Sequence, residues 1–301
     1  MRLPKPRGVL GVEVFDRLVS TTRPCPMPSD AEVAGAEPED AALTLWTLHE
    51  LSYRGFEGVD DLAEDDPEVG RVRRVLEADL ERRLRCRWEA AGCDRSEGDV
   101  AGAVLALIAG HEAPSMARFV ATDADAEQAR ELLRMRSVYH LKEADPTAWL
   151  VPRLPATAKA ALAEILYDEY GGGRAEGLHQ TLFAEGLVGA GLRPEYGAYV
   201  DEAPLEVLEQ NNAVSLFGLH RRWRGAAAGH FAAFEATSSV PSALLARGLA
   251  RLDLGDPIVA YYREHVEADS VHDQLALRFV RRSLVDAEPA LRDDEIGRAH
   301  V

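Results

Sequence analysis

Apolar residues recur every three or four positions along most of the chain, which is the spacing of one face of an α-helix. The segments with this spacing end at glycine, proline or clusters of polar residues. No segment shows the strict apolar–polar alternation that predicts a β-strand. The sequence therefore predicts an all-α helical bundle. We expect its helices at about 39–57, 67–91, 114–122, 124–140, 157–170, 174–187, 204–218, 220–239, 242–252 and 256–286.

The two ends of the chain differ from this pattern. Residues 1–40 are rich in proline, with the run RPCPMPSD at 23–30. Because proline has no amide hydrogen to donate, we expect an extended arm without helices there. The last six residues, 296–301, read IGRAHV, as a common sequencing-library adapter would when translated in frame, and we expect this tail to be artefactual. One helical domain is expected at 41–295.

Composition excludes several classes of function. The chain has 34 Lys and Arg against 51 Asp and Glu, a formal net charge of −17, which would repel nucleic acid and anionic membranes. No apolar run is long enough to cross a bilayer, and the N-terminus lacks the apolar core of an export signal. The three cysteines (Cys25, Cys86 and Cys93) form no Cys-x2-Cys pair. We therefore expect a cytoplasmic protein without a disulfide scaffold.

Candidate chemistry is concentrated in the segment YYREHVEADSVH, residues 261–272. His265, Asp269 and His272 lie at positions i, i+4 and i+7. On an α-helix, at ~100° per residue, these positions fall within about 60° of one another and share one face. Two imidazoles and a carboxylate on one face form a typical site for a first-row transition metal.

One helix cannot complete a metal site, so further ligands must come from facing helices. His179 is one candidate, with Glu169 or Glu176 beside it. Glu169 lies ten residues before His179, a rise of ~15 Å on a straight helix. The three glycines at 171–173 would permit a bend between them. Glu176, one turn before His179, needs no bend, so the residues alone leave both carboxylates open.

Glu235 is another candidate, because it lies in the apolar segment GHFAAFEATSS. A buried carboxylate there would require a metal or a basic partner. The alternative is that Glu235 lies at a helix edge and faces water. The other histidines, His140 and His230 among them, are expected to be core or surface residues.

Taken together, these residues resemble the haem-oxygenase-like di-iron oxidases and oxygenases, and most of all the N-oxygenating branch, in which an extra carboxylate joins the usual six ligands. The resemblance covers about residues 135–285. It implies a haem-oxygenase-like bundle with its metal site within 140–285, and it favours Glu169 over Glu176. Carried over by position, it implies seven ligands: Glu143, Glu169, His179, Glu235, His265, Asp269 and His272. Glu143 would otherwise be expected to be a helix cap or a solvated turn residue.

The resemblance also implies a function. Two iron ions would bind, with O2 as co-substrate, and the enzyme would oxygenate an amine or guanidine nitrogen of a small metabolite. One alternative is a C–C-cleaving di-iron oxidase, a decarboxylase or desaturase-lyase of an amino or fatty acid. The other is a non-catalytic helical carrier of haem or another tetrapyrrole, or an interaction scaffold. The expected partners are a small-molecule substrate, an electron donor and a second copy in a homodimer. No catalytic residue beyond the metal ligands is predicted.

Overall fold

A computed structural model describes residues 1–20, 26–90, 114–275 and 282–292, without the side chains of 267–275 and 282–283. Within these ranges the chain contains helices and turns and no β-strand, which confirms the all-α prediction. The helices are α1 (Val9–Val19), α2 (Asp30–Ala34), α3 (Pro38–Glu50), α4 (Pro67–Ala90), α5 (Met116–Thr122), α6 (Ala126–His140), α7 (Asp145–Ala148), α8 (Ala156–Glu169), α9 (His179–Gly189), α10 (Leu205–Leu219), α11 (Arg224–Arg251), α12 (Asp256–Leu275) and α13 (Arg282–Ala287).

The chain divides into two compact units. The first unit comprises Met1–Ala90 and Glu195–Leu216. In it α1 packs on α3, and α4 packs on both α2 and α3. The core residues of α4 recur every three or four positions, as the amphipathic pattern predicts. These residues are Val69, Val72, Leu76, Leu80 and Leu84.

The prediction that residues 1–40 contain no helix is wrong. Helix α1 lies between Pro6 and Pro24, so the prolines flank it instead of interrupting it. The carboxylate of Asp40 accepts hydrogen bonds from the backbone N–H groups of Leu10 (2.9 Å) and Gly11 (3.0 Å). These bonds satisfy amide donors in the first turn of α1, and the apolar face of the helix is buried.

The second unit comprises Ala91–Pro194 and Phe217–Val301. Helix α12 packs along α11 and against α9, and α11 also packs on α5. A glycine permits the contact of α9 with α12, because a Cβ atom at Gly186 would lie 2.6 Å from Cδ1 of Ile258. Helices α9, α11 and α12, with α8 and the turn after α6, surround the candidate metal centre described below.

The prediction that two separate helices, 220–239 and 242–252, meet near Pro241 is also wrong. Helix α11 is continuous from Arg224 to Arg251, although Pro241 has no N–H to donate to the carbonyl of Thr237. The Thr237 hydroxyl donates to the carbonyl of Ala233 at 2.8 Å, within the helix itself. Buried residues precede and follow the proline, including Phe231 and Leu245. Packing on both sides therefore maintains a helix that local propensity would end.

Most other helix boundaries agree with the sequence. Helices α4, α6, α8 and α10 lie where the apolar spacing predicts them, and α12 begins at Asp256 as predicted. Residues 276–281 and the tail at 296–301 lie outside the described residues, so the extent of the last predicted helix and the origin of the tail stay predictions, as do the domain boundaries. Among the described helices, none has both the length and the apolar composition that a bilayer span requires.

Candidate metal centre

The glycine-rich turn at 171–173 brings Glu169 and His179 together. All three glycines have positive φ angles (65°, 63° and 80°), which glycine adopts at little cost. A Cβ atom at Gly171 would lie 2.3 Å from the carbonyl carbon of Gly177. The backbone segments on the two sides of the turn therefore lie too close together for a side chain at Gly171. The chain reverses here, and Tyr170 forms an antiparallel bridge with Leu178.

Because of this reversal, Glu169 and His179 are not separated by the ~15 Å rise of a straight helix. Helix α8 ends at Glu169 and α9 begins at His179. Nδ1 of His179 lies 2.8 Å from Oε2 of Glu169, and both side chains are buried. Glu176, on the exposed turn between them, is solvent-accessible. The structure thus places Glu169 beside His179, and its role as a metal ligand stays a prediction.

Glu143 occupies the turn that follows α6, where a solvated or capping residue would be expected. Its side chain is instead buried, at 8% exposure. One oxygen, Oε2, lies 3.6 Å from Nε2 of His265 on α12. The same carboxylate is hydrogen-bonded by His140 (2.8 Å to Oε1) and by the hydroxyl of Tyr261 (3.0 Å to Oε2).

Glu143, His179 and His265 form a buried cluster with the composition of a metal site. Each offers one ligand atom, and these atoms all lie within 4.8 Å of one another. The two imidazole rings lie 4.5 Å apart between centroids. Nδ1 of His265 donates to the backbone carbonyl of Tyr261 at 3.0 Å, so its Nε2 is the nitrogen that faces Glu143.

Glu235 lies on α11 and is buried, at 6% exposure, which excludes a side chain facing water. It lines a small cavity of about 10 Å³ together with Glu143, Glu169 and His265. The complete lining is Tyr139, Glu143, Ala144, Glu169, Phe231, Phe234, Glu235, Ser238 and His265.

The remaining two predicted ligands, Asp269 and His272, lie on α12 after His265. The helix continues through both positions, as the i, i+4, i+7 spacing requires. Their side chains lie outside the described residues. The structure thus brings together five of the seven predicted ligands, and the spacing along α12 alone supports the other two.

The buried charges of the centre compensate one another. Burial alone would lower the pKa of His265, but the Glu143 carboxylate, with Glu169 and the Tyr261 carbonyl, raises it to about 10. The pKa of His179 is likewise raised, because the interaction with Glu169 outweighs burial. Burial would raise the pKa of Glu143, yet interactions with His140 and His265 hold it well below its usual range. A metal ion that binds His265 would therefore compete with a proton for the imidazole nitrogen.

Sequence reasoning missed the residues that hold Glu143. His140 lies three positions before Glu143, and Tyr261 lies four positions before His265, so each is one helical turn from a predicted ligand. That spacing is the signal that could have identified them. His230, by contrast, packs between Phe217 and Phe234 and is absent from the metal cluster, as expected. Burial lowers its pKa to about 4.

The donor set fits iron, because carboxylate oxygens and imidazole nitrogens suit Fe(II). Comparison with known proteins agrees with this chemistry. A family described as iron-containing redox enzymes matches residues 130–300, a range that contains all seven predicted ligands. No curated protein matches the chain. The match also confirms the predicted haem-oxygenase-like fold. On these grounds the chain belongs to the family of iron-containing redox enzymes.

Proposed function

We propose that the chain is a non-haem di-iron oxygenase that uses O2 to oxygenate an amine or guanidine nitrogen of a small metabolite. One observation carries the proposal: three buried carboxylates, Glu143, Glu169 and Glu235, line the same cavity as His265. His179 completes the group, since its Nδ1 lies 2.8 Å from Glu169. Carboxylates and histidines from several facing helices are the usual construction of a di-iron site in a helical bundle.

Charge supports two ions over one. Asp269 on α12 would add a fourth carboxylate to Glu143, Glu169 and Glu235. Two ferrous ions carry four positive charges, which would balance four carboxylates while the imidazoles bind as neutral ligands. A single ferrous ion would leave two negative charges to be balanced by protonated histidines, and a protonated imidazole nitrogen cannot bind metal.

The residues of the chain would hold the ions and control their surroundings. His265 is oriented by its bond to the Tyr261 carbonyl, and Glu143 by His140 and Tyr261. The rings of Phe231 and Phe234 line the cavity and limit the entry of water. When bound, two ferrous ions would supply two electrons that, with two from the substrate, reduce O2, so one oxygen atom enters the substrate and the other leaves as water. An electron donor would then restore the ferrous state.

The number of carboxylates favours oxygenation of nitrogen over cleavage of a C–C bond. The N-oxygenating relatives that the chain resembles use one carboxylate beyond the usual six ligands. The chain offers a complete set of seven positions, including a buried Glu143 in a turn where a solvated residue would be expected.

The metal content tests the first half of the proposal with a matched pair of variants. The apoprotein is loaded anaerobically with Fe(II), passed through a desalting column and assayed for iron. We expect about two iron ions per chain in the wild type and in Glu176→Gln, whose carboxylate is exposed. Glu169→Gln replaces the buried carboxylate with a neutral amide and should retain fewer iron ions per chain. Equal iron content in both variants would contradict the role of Glu169, and an absence of iron in the wild type would refute the proposal.

The substrate class is tested with isotopic oxygen. The iron-loaded protein is supplied with ¹⁸O2 and a panel of amines, guanidines, amino acids and fatty acids. We expect a product that carries one ¹⁸O atom on nitrogen, detected by mass spectrometry. Release of CO2 or formation of an alkene from an amino or fatty acid, without label on nitrogen, would instead identify a C–C-cleaving oxidase.

A further inference from the structure

We propose that Arg136 is a positioning residue for the metal centre. It fixes the tautomer of His140, and His140 together with Tyr261 then fixes the orientation of the Glu143 carboxylate. The inference about hydrogen bonding stands on the structure alone. Its consequence for iron rests on the proposed function, in which Glu143 is a metal ligand.

Arg136 determines which ring nitrogen of His140 carries the hydrogen. Nη1 of Arg136 lies 3.1 Å from Nε2 of His140. A guanidinium group has N–H donors and no acceptor, so Nε2 of the ring must accept this bond and cannot carry a hydrogen. A doubly protonated ring would direct one N–H group at another and place two positive charges side by side. The ring is therefore neutral, with its single hydrogen on Nδ1.

The second step carries this polarity to Glu143. Nδ1 of His140 lies 2.8 Å from Oε1 of Glu143, so its N–H donates to the carboxylate. Nδ1 also lies 2.9 Å from the hydroxyl oxygen of Tyr261. Nδ1 then has one hydrogen and no lone pair, so this hydrogen is shared between Glu143 and Tyr261, and the Tyr261 oxygen accepts. The hydroxyl hydrogen of Tyr261 is then free to be donated to Oε2 of Glu143, at 3.0 Å.

Each oxygen of Glu143 thus receives one hydrogen bond, and the polarity of the network is set at Arg136. Tyr261 has a second role, because its backbone carbonyl accepts the Nδ1–H of His265 at 3.0 Å. One residue therefore orients two predicted ligands, Glu143 through its hydroxyl and His265 through its carbonyl. Without the donor at Arg136, the His140 hydrogen could move to Nε2, and a ring lone pair would then face the carboxylate. That repulsion would displace Glu143.

The direct test observes the tautomer in the metal-free protein. The ¹⁵N chemical shifts of the His140 ring, assigned by comparison with His140→Gln, distinguish an Nδ1–H ring from an Nε2–H ring or an imidazolium. We expect Nδ1–H in the wild type and partial or complete conversion to Nε2–H in Arg136→Met. An Nε2–H ring or an imidazolium in the wild type would overturn the proposal, and this result requires no variant to fold other than the reference for assignment.

The second readout is iron affinity, measured by anaerobic titration of the same proteins. Loss of an orienting hydrogen bond typically lowers metal affinity 10–100-fold, and we expect about that loss for Arg136→Met. Arg136→Lys, which retains a cationic donor, should recover most of it. Arg134→Met is the matched control, since Arg134 lies on the same helix and pairs with Glu127 at 2.9 Å.

The outcomes separate the two claims. An unchanged tautomer and unchanged iron affinity in Arg136→Met, with the affinity equal to that of Arg134→Met, would overturn the positioning role. The expected tautomers in a wild-type protein that binds no iron would refute the proposed function and leave the hydrogen-bond network established. Loss of affinity in Arg134→Met equal to that in Arg136→Met would show a general effect of helix α6 and also overturn the proposal.

Discussion

A buried histidine–glutamate pair of the first compact unit differs from one of the second in what surrounds it. In the first unit, Nε2 of His49 on α3 lies 3.1 Å from Oε1 of Glu77 on α4. In the second, Nε2 of His265 lies 3.6 Å from Oε2 of Glu143. Both pairs are buried. A pairing of imidazole and carboxylate in the core is therefore insufficient to identify a metal site.

The difference lies in the additional ligands. His265 and Glu143 are joined by His179 into a cluster whose ligand atoms lie within 4.8 Å of one another. In the part of the chain that the structure describes, His49 and Glu77 belong to no such three-ligand cluster, and Arg73 lies 3.9 Å from Glu77. Converging carboxylates and oriented imidazoles therefore distinguish the candidate metal centre from the pair in the first unit. An isolated pair is better explained as a core interaction that links two helices.

The largest expected effect is on iron binding at the second pair. His265→Ala removes a nitrogen ligand, and we expect the affinity for Fe(II) to fall by more than about 100-fold, beyond the range typical of orienting residues. Anaerobic titration with Fe(II) measures it. The matched control is His49→Ala, which should bind iron as the wild type does. If both variants lost iron equally, the distinction between the two pairs would be false.

The next effect is on stability at the first pair. His49→Ala leaves the Glu77 carboxylate buried beside α3 without its imidazole partner, and breaking a buried pair typically costs about 3–5 kcal/mol. We expect the free energy of unfolding, measured with urea on the metal-free protein, to fall by about this amount. His49→Gln, which keeps a hydrogen-bond donor, should lose less. A loss below about 1 kcal/mol in His49→Ala would show that the pair contributes little to the fold.

The smallest effect concerns His230, which belongs neither to the candidate metal centre nor to a histidine–glutamate pair. His230 packs between two phenylalanine rings, and burial lowers its pKa from 6.5 to about 4. Its neutral form is favoured in the folded state, so this contribution to stability is fully present above pH 6.5 and is lost as the pH falls towards 4. Because the ring is only half-buried, we expect a loss of about 2 kcal/mol over that interval.

Urea unfolding of the wild type and of His230→Phe at a series of pH values isolates the contribution of His230 to the free energy of unfolding. The difference in stability between the two proteins should change by about 2 kcal/mol between pH 6.5 and 4, in favour of the phenylalanine variant at low pH. A constant difference across this range would show that the folded and unfolded states bind the proton equally well.

The fold was predictable wherever helical spacing and packing agree. Helix α4 lies where its apolar positions place it. The failures arise where local preferences and tertiary contacts oppose each other. Pro241 has a low helix propensity, yet packing on both sides of it keeps α11 continuous. The capping of α1 depends on Asp40, 30 residues from Leu10, and proline content carries no information about that contact.

The convergence of buried groups in the second unit was predictable where the proposed ligands form a pattern along the chain. His265 begins a helical i, i+4, i+7 series, and the glycines at 171–173 indicate a bend before His179. The surroundings of Glu143 could not be predicted in this way. Its carboxylate is hydrogen-bonded by Tyr261, which is 118 residues away, and by His140, which in turn contacts Arg136. The spacing shows only that His140 and Tyr261 lie one helical turn from predicted ligands, whereas their contacts with Glu143 arise from the packing of helices.

The central claim is that two iron ions bind among the buried carboxylates of the second unit. The most direct test is anomalous diffraction at the iron absorption edge from crystals of the iron-loaded protein. We expect two anomalous peaks per chain, ~3.5–4 Å apart, beside Glu143, Glu169, Glu235 and His265. A single peak, or a pair of peaks at the surface with none beside His265, would contradict it.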